Sequence, residues 1–245
     1  MASLSTIFKQ NTRYKALFLS LLLSAVGFGL YKGVLDNYMA EVVKMGEFDR
    51  GVTEFFRELP GLMLVAILAI FYKFSAEKMY KMGMIIMFLG MTLQAAISPT
   101  KFLVILAIFI YSTGEHIQLG MKNTLSLEYS KTGYGGQALG YQNSIYQIGN
   151  LVGYVAVIAA FASISRTSLF KPVFMVAAAF MCMAMLASFR LTGKSETDKS
   201  KSRFYFRKKF RKYYMLEIFY GARKQVFFTF GPYVLILFYG ADTAV

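Results

Sequence analysis

Charged side chains are scarce in this chain. Only 16% of its 245 residues are Asp, Glu, Lys or Arg, while 56% are hydrophobic. Soluble domains carry about a quarter charged residues, so the composition excludes a soluble globular domain and favours a membrane protein. Cysteine is scarcer still: Cys182 is alone and lies inside an apolar run, which rules out an intrachain disulfide. Histidine is also single. His116 has no cysteine, aspartate or second histidine at ligand spacing, so no metal site is expected. A nucleotide fingerprint is missing too, because the Gly-Tyr-Gly-Gly stretch at 133–136 is not followed by Gly-Lys-Ser/Thr. The chain is therefore expected to be neither an enzyme nor an ATP-driven pump, and to need no cofactor.

What is abundant is apolar sequence in runs of about 20 residues, the length that crosses a hydrocarbon core of roughly 30 Å. Seven such spans are expected, at 16–35, 52–72, 82–97, 102–121, 138–162, 173–189 and 213–239. They are continuously apolar rather than alternating, which predicts helices and not barrel strands. The fold class is then all-α, a polytopic membrane helix bundle. The amino-terminal Lys9, Arg13 and Lys15 precede an apolar run without a small-residue cleavage site, so the run reads as an uncleaved first helix.

The net charge of +14 gathers between the spans. Basic residues fill the amino terminus, the connection with Lys73, Lys78 and Lys81, and the connection 191–212, which holds nine. The opposite connections are sparser: Lys44 and Arg50 are diluted by Glu41, Glu47 and Asp49, then come Lys101, then Arg166 and Lys171. The positive-inside rule places the amino terminus in the cytoplasm of a multi-pass cell-membrane protein. Three regions follow: a six-helix bundle at 1–191, a basic cytoplasmic linker at 192–212, and the first helix of a further bundle at 213–245. The linker ends in Arg203-Phe-Tyr-Phe-Arg-Lys-Lys-Phe-Arg-Lys212. Basic residues interleaved with aromatics can hold single-stranded nucleic acid. Beside a membrane helix they read instead as a contact with anionic headgroups, and the expected partner is lipid rather than nucleic acid.

Ionisable groups inside spans cost several kcal/mol unless paired or hydrated, which makes them functional candidates. In the seventh span Arg223 and Lys224 lie about ten residues from the cytoplasmic end, roughly 15 Å deep. Such a pair suits a cavity for an anionic solute, since a guanidinium clamps carboxylate or phosphate bidentately; the bland alternative is an internal salt bridge. In the fourth span Glu115 and His116 suit proton coupling, or serve as fixed counter-charges to Arg223 or Lys224. In the second, Glu54, Arg57 and Glu58 can pair along one helical face. Lys32 and Asp36 in the first are expected to snorkel to the outer interface. Gln142, Asn143, Gln147 and Asn150 form an amide stripe on the fifth span, suited to lining a cavity or to helix-to-helix hydrogen bonds. Gly149 and Gly153 add a small-residue packing face.

Six helices, a long basic linker and a further helix of the same kind resemble the major facilitator superfamily. The segment Ala76-Glu-Lys-Met-Tyr-Lys81 resembles a degenerate form of its cytoplasmic gating motif: Glu77, Lys78 and Lys81 match in charge, while Tyr80 stands where the family has glycine and Met82 where it has a basic residue. Arg57-Glu-Leu-Pro-Gly61, Tyr220-Gly-Ala-Arg-Lys-Gln225 and Phe230-Gly-Pro232 resemble a group of bacterial transporters of that superfamily. The resemblance runs over the whole chain. It implies two six-helix halves around a central cavity and transport by alternating access, with seven of twelve helices in this sequence, which would make it a partial chain. The function expected is secondary transport of a small solute, anionic if Arg223 and Lys224 reach it, coupled to a proton or another ion. A scaffold or inactive remnant that transports nothing is the alternative. A seven-helix retinal photoreceptor is disfavoured by the cytoplasmic amino terminus and by the lack of a carboxylate in the third span.

Overall fold

The computed structural model describes residues 4–9, 11–163, 167–191 and 207–243, apart from the side chains at 11, 163, 217, 218 and 220–226. These residues form eight α-helices: α1 (Leu4–Ile7), α2 (Asn11–Asn37), α3 (Glu47–Ile70), α4 (Ala76–Ala96), α5 (Lys101–Tyr129), α6 (Gly135–Ser163), α7 (Phe170–Phe189) and α8 (Arg211–Tyr239). The described residues contain no strand, only an isolated bridge between Phe8 and Ser130. The chain is an all-α polytopic bundle.

Local chemistry sets the helix ends. Ser75 and Thr100 cap α4 and α5 by accepting hydrogen bonds from the backbone N–H groups of Lys78 and Leu103. Gly46 N–H donates to the Asp49 carboxylate in the first turn of α3. Gly240 ends α8 at a positive φ of 66°, which glycine adopts without a Cβ clash. A π-helical turn, Tyr38–Val42, continues α2 and turns the chain towards α3.

Five helices, α2 and α4 to α7, are long and apolar enough to cross a membrane. The shortest, the 20-residue α7, reaches about 30 Å at 1.5 Å per residue. The second and seventh expected spans are also helices of full length, but differ in character. α3 begins at Glu47, ahead of the expected start, and brings Glu54, Arg57 and Glu58 into one helix. On α8 the described apolar stretch is Phe227–Tyr239.

α2 is the centre, held between α6 and α7, while α4 packs between α5 and α7 and α3 leans on α5. Tyr38 of the π-turn stacks edgewise on Phe174 and Phe170 of α7, with ring centroids 5.0 and 5.8 Å apart. Large apolar side chains remain exposed on the outside, among them Leu62, Val65 and Ile70 on α3, Leu151 and Val155 on α6, and Met175 and Leu186 on α7. So much exposed apolar surface is suited to lipid, not to water. Lipid is as apolar as these side chains, so helix association has to come from close packing and buried polar contacts. Gly149 and Gly153 supply the packing: a Cβ on Gly153 would stand 2.6 Å from the Val26 carbonyl oxygen and one on Gly149 2.7 Å from the Ala25 Cβ. α2 and α6 therefore meet backbone to backbone.

Candidate cavity and its ionic chain

A cavity of about 790 Å³ lies between α2, α3, α5, α6 and the carboxyl-terminal part of α8. Its wall carries Lys32 and Asp36 from α2, Arg50 and Arg57 from α3, and Glu115 from α5, among aromatic side chains that include Tyr31, Tyr111 and Tyr154.

Most of these charges belong to one chain of alternating sign. Lys32 Nζ donates to Asp36 Oδ2 at 2.8 Å. Asp36 Oδ1 faces Arg50 Nε at 3.4 Å, and Arg50 Nη1 donates to Glu54 Oε2 at 2.8 Å. Arg57 bridges Glu54 and Glu58 at 2.5 and 2.6 Å, and Glu58 Oε2 stands 3.8 Å from His116 Nε2. Arg50, Glu54 and Glu58 follow at four-residue spacing, so the helical repeat of α3 brings them to one face. Arg50 also lies under the Tyr233 ring of α8, 5.6 Å from its centroid, a distance at which ring and cation attract.

Asp36 and Arg50 correct two expectations. Asp36 does not snorkel to the interface; it is buried and held by Arg50. Nor is Arg50 a solvated loop charge, because α3 starts early enough to place it on the second helical turn, facing α2, where it is 2% exposed. The ladder Arg50–Glu54–Glu58 was available in the spacing, whereas nothing in the sequence separates Tyr31, Tyr111 and Tyr154 from other aromatic residues in apolar runs.

His116 is fixed by its own helix: Nδ1 lies 2.9 Å from the Ser112 carbonyl, which can only accept, so Nδ1 carries a proton and Nε2 is the atom turned to Glu58. Gly61 on α3 leaves room for this ring, since a Cβ there would stand 2.7 Å from Nε2. Pro60 interrupts the α3 hydrogen-bond ladder next to it, and the Ser112 hydroxyl of α5 donates to the Arg57 carbonyl at this level. Arg57, Glu58, Glu115 and His116 are thus brought to one region, by α3 and α5.

The amide stripe of α6 divides. Gln142 and Asn150 are buried, Asn143 and Gln147 exposed, and the pairs bond within the helix, Gln142 to Asn143 and Asn150 to Gln147, both at 3.3 Å. None of the four lines the cavity; Tyr154, one turn beyond Asn150, does. In the segment 76–81 Glu77 turns inward and accepts a hydrogen bond from the Tyr129 hydroxyl at 3.0 Å, while Lys78 is exposed and Lys81 partly so. The side chains of Arg223 and Lys224, and linker residues 192–206, lie outside the described residues. Among the described residues no cluster of His, Cys, Asp and Glu is built to hold a metal ion.

No protein-family model matches this chain, and no curated protein matches it.

Proposed function

We propose that the chain works as a secondary active transporter of the major facilitator type, moving a small solute by alternating access and coupled to a proton or another ion. The observation that carries this reading is a 790 Å³ cavity inside an apolar helix bundle with a chain of ionic side chains along its wall. Pockets for small molecules measure roughly 300–1,000 Å³. A bundle built only to stay in the membrane gains little from burying Asp36, Arg50, Glu54 and Glu115, each of which is costly there. Substrate and coupling ion would act by favouring one of two conformations through differential affinity. The ionic chain ties α2 to α3 and α3 to α5 through side chains alone, a kind of contact that can be exchanged when helices move.

The amino terminus and the basic linker belong on the cytoplasmic side of the cell membrane in this reading, with Arg207 to Lys212 against anionic headgroups. An anionic solute would require Arg223 and Lys224 to reach the cavity; their side chains lie outside the described residues, and the transport reading does not depend on the sign of the solute's charge.

Uptake by proteoliposomes containing the chain, driven by an imposed proton gradient and followed with an internal pH dye, tests the proposal. A solute that triggers proton movement is expected, and Arg223→Ala and Glu115→Gln should each lower the flux at least tenfold, about 1.4 kcal/mol, without loss of membrane insertion. Flux that persists in both variants rejects the assigned site, and a protein that moves no solute across a broad panel supports the scaffold instead.

A further inference from the structure

The basic groups on the cavity wall are all engaged. Lys32 is paired with Asp36, Arg50 with Asp36 and Glu54, and Arg57 with Glu54 and Glu58. Glu115 differs. It is 9% exposed, it lines the cavity, and it has no hydrogen-bond or ion-pair partner among the described residues. Arg57 and His116 act on it only at longer range and are themselves held by Glu54 and Glu58; Lys122, seven residues further along α5 and roughly 10 Å away along the axis, has its ammonium over the Tyr146 ring at 4.0 Å and does not line the cavity.

Two more polar groups on the same wall are unused. The hydroxyls of Tyr31 and Tyr111 are buried and have no hydrogen-bond partner among the described residues, and their rings lie 4.9 Å apart. A buried carboxylate and buried hydroxyls left unpaired are expensive unless something binds them. An anion would have to draw Arg50 or Arg57 out of buried ion pairs, and breaking such a pair leaves an uncompensated charge. An ammonium needs no such exchange. Its N–H groups can donate to the carboxylate, and aromatic faces attract its charge.

Resting on the transport reading, we propose that the cavity binds a small organic cation, an ammonium group on an apolar body, with Glu115 as its counter-charge among the aromatic rings of the wall.

Calorimetric titration of the purified full chain with phenethylammonium, phenylethanol and phenylpropionate tests this, since the three differ mainly in charge. Phenethylammonium should bind and the other two should not. Glu115→Gln should weaken that binding at least tenfold, Glu115→Asp should retain most of it, and Glu47→Gln at the exposed start of α3 should leave it unchanged. If Glu115→Gln does not fold, the native chain still decides: phenethylammonium should protect Glu115 from dicyclohexylcarbodiimide, read by mass spectrometry, and phenylpropionate should not. Binding of phenylpropionate in place of the ammonium, equal ammonium binding by the Gln variant, or absence of protection overturns the inference. Ammonium binding without solute-driven flux would keep this inference and remove the transport reading; anion-driven flux without ammonium binding would do the reverse.

Discussion

Arg50, 2% exposed, stands between two buried carboxylates. Deleting it removes one partner each from Asp36, which keeps Lys32, and from Glu54, which keeps Arg57; breaking a buried pair costs about 3–5 kcal/mol, while neutralising Asp36 as well removes one of the two carboxylates left short of a partner. Arg50→Ala should therefore lower the melting temperature of the detergent-solubilised protein by more than the double variant Asp36→Asn with Arg50→Met. A double variant that melts lower than Arg50→Ala would mean that the pair contributes net stability and is not merely mutually neutralised. The same residues show what one sequence can and cannot convey. Four-residue spacing reveals which charges share a face of one helix, so Glu54, Arg57 and Glu58 were legible as a set. It does not say which neighbouring helix that face meets, and so Asp36 and Arg50, on different helices, were placed at the surface.

At the scale of helices, the contact of α2 with α6 depends on what is missing from Gly153. A methyl there would press on the Val26 carbonyl and the Leu30 N–H, at 2.6 and 2.7 Å, both backbone atoms that cannot turn aside. Gly153→Ala should lower the melting temperature and broaden the size-exclusion peak. Gly140→Ala, on the same helix with nothing within 4 Å, should be neutral or raise it slightly through helix propensity, worth up to about 1 kcal/mol. Equal effects of the two substitutions would show that close packing does not hold this pair. Small-residue spacing made this face visible in the sequence, but its partner emerged only from the fold. The first turns of α3 and α5 are joined differently, by Lys101 donating to Asp49 at 2.6 Å. That hydrogen bond, helped by the Gly46 N–H, holds the Asp49 carboxyl below the usual carboxylate range. With the folded value depressed, the contribution is present above the unfolded value of about 3.9 and is lost as pH falls through the folded one. Amide exchange in the first turn of α3 should accelerate as pH is lowered through that window, once corrected for intrinsic rates. In Lys101→Met the acceleration should shrink.

For the whole molecule, helices declared themselves by length and continuous apolarity, and the all-α bundle was legible for that reason. The spans at 52–72 and 213–239 were read on the same terms as the others, although charge sets α3 apart. The amino-terminal segment was not legible at all. Lys9 N–H donates to the Tyr129 carbonyl and Lys131 N–H to that of Ile7, backbone groups that every sequence possesses, and the Lys9 and Lys131 ammonium groups add bonds to the Glu128 and Ser5 carbonyls, so α1 is fastened to the end of α5. Orientation is a property of the bundle in its bilayer, and it follows from the distribution of basic residues between the spans. With Cys182 replaced by alanine no native thiol remains, and single cysteines can then be placed at exposed Lys44, between α2 and α3, or at exposed Lys73, between α3 and α4. A membrane-impermeant maleimide added to intact cells should label position 44 and reach position 73 only after permeabilisation. The reverse pattern would invert the bundle and put the α2–α3 connection on the cytoplasmic side. Labelling of both positions in intact cells would mean that α3, with its row of charges, does not cross the membrane.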